Sequence, residues 1–216
     1  MSPSTIAAFV PTKTYDDAGF NEIDLQNIAD NTQNEWNQHV KSSSGDYGMT
    51  TDVHWDKMLD LSSYDTLTAE MTRSAAETEL DLSYPSLVDN YDAILVRDNR
   101  TWPDYDGMAD DTGRPTKAHP DSEVFAAGSD EKNVSICGQY SGYALEAHEV
   151  SHLYGGTHNR HETWGTNEYT VMGNKGDSQC SGGTTSDTRI RCGHYNSCTV
   201  DDIRYYMDHW AGYGYF

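Results

Sequence analysis

Residues 148–158 read His-Glu-Val-Ser-His-Leu-Tyr-Gly-Gly-Thr-His, and no other stretch of the 216-residue chain constrains its fold so tightly. On a helix, side chains four residues apart lie about 40° apart around the axis, so His148 and His152 project from one face with Glu149 beside them. Gly155 falls where such a helix should stop, because glycine accepts the left-handed backbone of a C-cap without steric cost. A sharp reversal there can bring His158 back to His148 and His152. With the chain's own frequencies of His, Glu and Gly, this pattern arises by chance about 6 times in 100,000 such chains.

Holding three imidazoles at one point requires a core, and the composition makes that a question. Asp and Glu number 35 against 14 Lys and Arg, a formal charge of −21. Leu, Ile, Val and Phe together number 31 of 216 residues, about 14%. A highly charged chain below roughly 20% is compositionally inclined to disorder. The alternative is a protein kept hydrated in concentrated salt, where self-repulsion is screened within a few ångströms. The choice rests on whether the apolar residues are patterned.

They are patterned. Residues 4–10 predict a first strand, and residues 21–41 carry Leu25, Ile28, Ala29, Thr32, Trp36 and Val40 at helical spacing. Residues 49–55 alternate as a half-buried strand, with Met49, Thr51, Val53 and Trp55 on one face. Residues 65–80 predict a helix capped by Asp65 with Leu67, Met71 and Ala75 inward, and residues 93–96 a strand covered on both faces. Residues 100–121, rich in Pro, Gly and Asp, suit an irregular excursion. Strands are expected at residues 123–128 and 133–139, a helix at 142–153, and a last helix at 200–210 capped by Thr199. Alternating strands and helices in the first half imply parallel βαβ units, with no repeat and no domain boundary.

Three neutral imidazoles leave a fourth position for water, the open arrangement of a catalytic zinc site. Zinc brings the pKa of such a water near 7, and Glu149 is placed to take its proton and pass it to a leaving amine.

The segment resembles the HExxHxxGxxH signature of the metzincin metalloproteases, with His148, Glu149, His152, Gly155 and His158 in place. Residues Tyr169 to Gly173 (YTVMG) are similar to that family's methionine turn, with Met172 as the residue beneath the metal. An ordinary core methionine is the competing reading of Met172. The resemblance implies a twisted, mixed five-stranded sheet with an antiparallel edge strand, an active-site helix and a C-terminal helix. It implies one catalytic domain over residues 1–216, with an upper part to about 155 and a lower part beyond. It also implies that a peptide substrate aligns along Val124, Phe125, Ala126 and Ala127, and that Val171 helps wall the pocket beyond the scissile bond. The element order looks more like the adamalysin branch. Astacins and serralysins place a tyrosine ligand two residues after the methionine; here that residue is Asn174, so no such ligand is expected. Outside residues 142–173 the resemblance is topological only.

Other candidates carry less. His161 is expected at the surface, with His158 favoured as third ligand because Gly155 and Gly156 set the turn. Asp104 to Asp111 has the carboxylate density of a calcium loop without its glutamate spacing, so Ca2+ is not supported. His54, His119, His194 and His209 have no partners at ligand spacing. Cys137, Cys180, Cys192 and Cys198 form no CxxC pair, and two disulfides of undetermined connectivity are expected.

The anionic surface disfavours nucleic acid and acidic lipid, and no apolar run approaches the roughly 18 residues that span a bilayer. Residues 1–11 lack signal-peptide character, so the chain is either cytosolic or a mature form with its targeting segments removed. The combined expectation is a secreted, monomeric, salt-adapted zinc endopeptidase holding one catalytic ion and acting on proteins or peptides. The rivals are a zinc hydrolase of a non-protein amide and a metal-binding protein without turnover.

Overall fold

The computed structural model describes residues 3–102, 107–109, 134–138, 143–158, 161–164, 168–173, 179 and 190–211. The strand β1 (Thr5–Pro11) is buried at six of its seven positions, which requires neighbours on both faces. After the single turn α1 (Lys13–Asp17), the long helix α2 (Glu22–His39) opens on a reciprocal cap. Asn21 accepts from the Ile23 N–H, and Asp24 accepts from the Asn21 N–H. Its buried stripe is Leu25, Ala29, Thr32 and Trp36, as the spacing predicts.

β2 (Met49–Val53) follows, with Met49 buried and Thr50 and Asp52 exposed, then a short 3-10 turn at Trp55–Lys57. Next come α3 (Ala69–Ser83), α4 (Pro85–Asn90) and the wholly buried β3 (Ala93–Arg97). β4 (Gly107–Ala109), β5 (Val134–Cys137) and α5 (Tyr143–Leu153) lead to the short strands β6 (Thr163–Trp164), β7 (Glu168–Tyr169) and β8 (Ile190–Arg191). Helix α6 (Ser197–Ala211) ends the described chain.

The architecture is mixed α/β, built on four parallel strands in the order β2-β1-β3-β5. The unit β1-α2-β2 steps one way from β1, and the return to β3 steps the other. Right-handed crossovers then place their helices on opposite faces. The packing agrees: Ala7, Phe9, Ala93 and Leu95 point to the layer of α2, α5 and α6. Ala8, Val10, Ile94 and Val96 point to the layer of α3 and α4. Neighbouring residues of one strand thus feed two cores. β6, β7 and β8 form a separate small sheet.

Several expectations change. β4 lies in a stretch read as irregular; it pairs antiparallel with β5, Met108 opposite Ile136. The expected strand at residues 123–128, with Val124, Phe125, Ala126 and Ala127, lies outside the described residues. Helix α3 is capped by Thr68, whose hydroxyl accepts from the Met71 N–H, and not by Asp65. Its inward stripe is Ala69, Thr72, Ala75, Ala76 and Leu80, because small residues let the helix sit close to the sheet. Leu67 precedes the helix and Met71 faces out, and both are exposed. Helix α6 starts two residues earlier than Thr199, and Asn196 caps it by accepting from the Thr199 N–H.

The two expected disulfides are not both formed. Cys198 is disulfide-bonded, but Cys137 and Cys192 are buried and remain thiols. Cys137 ends a central strand and packs in the apolar core, where a cysteine serves as a small hydrophobe.

Candidate metal centre

Helix α5 is buried all round rather than along one stripe: residues 144–151 are without exception buried. A polar group carried on such a helix needs a partner. The Glu146 carboxylate lies 3.3 Å from the Arg97 guanidinium. The Ser151 hydroxyl donates to the Ala147 carbonyl at 2.6 Å and lies 3.0 Å from the Tyr195 hydroxyl. Burial pushes the Tyr195 phenol well above its ordinary pKa, the Glu35 charge adding to it and the Ser151 contact opposing. Trp36 of α2 packs edge-on to Tyr154 and Tyr195 and fixes the helix from beneath. The hydroxyls of Thr5 and Tyr154 also meet, tying the helix end to β1.

The helix stops as its sequence dictates. Gly155 has a φ of +82°, its N–H donates to the His152 carbonyl, and the Gly156 N–H donates to the Ser151 carbonyl. These two bonds together are the Schellman arrangement. Gly156 is as constrained as Gly155: a Cβ there would lie 2.9 Å from the Ser151 carbonyl oxygen and 3.2 Å from Met172 Sδ.

The reversal brings the three predicted histidines together. Their Nε2 atoms form a near-equilateral triangle, with His148 to His152 at 3.1 Å, His152 to His158 at 3.0 Å and His158 to His148 at 3.1 Å. The outer nitrogens decide what this means. His148 Nδ1 lies 2.7 Å from the Val171 carbonyl oxygen, and His152 Nδ1 lies 2.9 Å from that of Gly156. A carbonyl can only accept, so both Nδ1 atoms carry the proton and both neutral rings turn a bare Nε2 lone pair inward. The approach of His148 to His152 is therefore not a hydrogen bond. Bare lone pairs this close repel unless a cation lies among them. Donors at about 2.0–2.1 Å from one tetrahedral ion sit about 3.3 Å apart, close to the observed spacing. The three histidines form a group able to hold a metal ion.

Glu149, one residue along α5 from His148, is 4% exposed. Met172 is fully buried in a turn closed by the Gly173 N–H donating to the Thr170 carbonyl at 2.8 Å. That turn is tethered at its start: the Thr170 N–H donates to the Glu162 carbonyl, and the Val171 N–H donates to the His194 carbonyl. Val171 was read as a pocket wall; its side chain is fully buried, and its carbonyl orients His148.

His161 is not at the surface. It is fully buried, and its Nδ1 donates to the His158 carbonyl at 2.5 Å, so it braces the backbone of the third histidine. Its three-residue spacing from His158 was the available signal. His54 faces the Tyr91 hydroxyl at 2.7 Å, and Tyr91 in turn donates to Asp52.

A second cluster escaped the sequence. His194, read as having no partner, places Nδ1 3.2 Å from His39 Nε2, and Glu35 lies one helical turn before His39. Burial holds the His39 imidazole below its ordinary pKa, with His194 adding to the shift and Glu35 opposing it. The Glu35-to-His39 spacing was visible on α2, but its third member comes from 155 residues away.

The sequence matches no protein-family model and no curated protein. Among solved structures, a chain of "Structure of a chaperone-substrate complex" is similar at a TM-score of 0.56 and 14% identity. The match covers 95% of this chain and 35% of that one, so this chain spans about a third of its neighbour's length. At that identity the likeness concerns the fold alone.

Proposed function

We propose that the protein is a zinc-dependent endopeptidase of the metzincin type, with His148, His152 and His158 as ligands and Glu149 as general base. The observation that carries this reading is the pair of carbonyls, Val171 and Gly156, which fix His148 and His152 with bare nitrogens facing one point. Three neutral nitrogen donors with a carboxylate beside them suit a catalytic zinc better than a structural one, which takes four protein ligands. When bound, zinc supplies a Lewis acid that activates water near pH 7 and polarises a carbonyl. Glu149 takes the proton from the attacking water and hands it to the departing amine.

The substrate reading is a protein or peptide. Helix α5 packs against both β4 and β5, so the antiparallel β4 corresponds in this reading to the family's edge strand, and the sheet would be its five-stranded mixed sheet. An extended peptide added to that edge would pass the centre. The Cys198 disulfide favours an oxidising compartment, hence export. The charge of −21 favours work in concentrated salt.

The test is digestion of a denatured protein by the full chain, with and without chelator, read by mass spectrometry. Cleavage that stops with chelator and returns with Zn2+ supports the proposal. Cleavage indifferent to chelator removes it.

A further inference from the structure

We propose that Glu35, His39 and His194 form a second site for a divalent transition ion of zinc's class, clamping α2 to the segment that enters α6. The proposal does not depend on the endopeptidase reading.

Glu35 and His39 are four residues apart on α2 and so share a face. The third donor arrives on the short connection between β8 and α6. There the His194 carbonyl accepts the Val171 N–H at 2.8 Å, and Tyr195 packs edge-on against Trp36 with ring centroids 6.1 Å apart. The placement of His194 is thus fixed by its neighbours on both sides. Its ring stands at 83° to that of His39, with centroids 5.1 Å apart. One ligand atom from each of the three residues falls within 4.8 Å of the others.

The carboxylate supplies the independent argument. Glu35 Oε2 is shut off from solvent and has no hydrogen-bond partner among the described residues, though His39 Nε2 lies 3.6 Å away. A buried carboxylate oxygen without a donor costs free energy that a bound cation would offset. Two imidazoles and one carboxylate form a borderline donor set, suited to zinc and its neighbours and poorly to calcium or magnesium, which prefer oxygen. The partly exposed histidine and glutamate leave room for water to complete the coordination.

The clamp would also bear on the first centre. From the His194 carbonyl, one hydrogen bond leads to the Val171 N–H, and the Val171 carbonyl holds His148. An ion at His194 would stiffen that path.

The experiment is a Zn2+ titration of the chelator-treated full chain by calorimetry, with bound metal counted by elemental analysis. The wild type should take up two ions per chain, and His194→Ala and Glu35→Gln one each. His152→Ala should also keep one ion, and the double variant His152→Ala/His194→Ala should bind none. Glu35→Gln preserves size and so guards against a folding defect in His194→Ala, with near-UV circular dichroism as the check. A wild type that binds a single ion which His194→Ala keeps, or a His194→Ala and Glu35→Gln pair that each still bind two, overturns the proposal. So does a His152→Ala chain that binds none. Loss of the first centre alone would show as one ion in the wild type that persists in His152→Ala and disappears in His194→Ala; that pattern leaves this site standing.

Discussion

The Val171 carbonyl accepts the Nδ1 proton of His148 at 2.7 Å, so a residue of the turn that carries Met172 fixes the tautomer of that histidine. Gly156 does the same for His152 from the other side, at 2.9 Å. Backbone atoms of two separate turns therefore aim the two imidazoles. Such outer contacts orient metal-bound imidazoles and raise their basicity.

Glu149→Gln should separate binding from chemistry. The amide keeps the size of the side chain but cannot accept a proton. Zinc content by elemental analysis should match wild type, while kcat/KM on a peptide substrate falls by about 100-fold to 10,000-fold, the range of general acid-base catalysis. Wild-type turnover by this variant would remove Glu149 from the mechanism.

Gly155→Ala should destabilise the chain by two additive effects. A left-handed backbone costs an L-residue roughly 1–2 kcal/mol, and the new Cβ would meet Tyr206 Cδ2 at 3.2 Å. Gly19, with a φ of +88° and nothing within 4 Å, isolates the first effect. In urea titrations Gly19→Ala should shift the midpoint less than Gly155→Ala. Equal shifts would mean that Tyr206 yields without cost.

Glu146→Gln should be among the most damaging single changes. Arg97 is 4% exposed, donates to the carbonyls of Asp98, Cys137 and Gly138, and has Glu146 as its buried counter-charge. Leaving one buried charge without its partner costs about 3–5 kcal/mol. Thermal unfolding should show a loss of that order; a shift under about 1 kcal/mol would mean that water reaches the pair.

Stability should fall at alkaline pH. Burial pushes the Tyr15 phenol from 10.0 to about 12, opposed by Arg97 and reinforced by Asp24 and Glu146. The folded state holds that proton more tightly than the unfolded one. Its contribution is therefore complete below pH 10 and is lost as pH rises through 10 toward 12. Tyr15→Phe should flatten the dependence of the urea midpoint over this window, and an unchanged slope would assign it elsewhere.

Salt should stabilise the chain. With a net charge of −21 and few large aliphatics, self-repulsion acts on a lean core, and at 1 M salt it is screened within about 3 Å. Far-UV circular dichroism should show a loosened chain in dilute buffer that refolds in molar salt. A full native signal at low ionic strength would assign the charge to solubility alone.

The sequence made some of this legible for physical reasons. The stripe from Leu25 to Trp36 and the continuous run from Ala93 to Val96 each show burial as a local period. The histidine triangle was readable because its spacing and Gly155 are encoded within eleven residues. Long-range features were not. Thr68 and Asn196 displaced the expected caps, and the choice among several nearby Asp, Thr and Asn residues is not encoded in the local pattern. The burial of His161 and the meeting of His39 with His194 depend on distant backbone, where local pattern carries no information. Cys137 and Cys192 even argued the wrong way, because pairing was inferred from number and their burial could not be seen.

The two carbonyl-locked histidines also determine the proton accounting of metal uptake. His148 and His152 already carry their one proton on the outer nitrogen, so in their neutral form neither has to release a proton or exchange a tautomer to become a ligand. Ion uptake by these two neutral rings is then independent of any proton release from the rings themselves. A cysteine-based site, which must shed protons to bind, has no such independence.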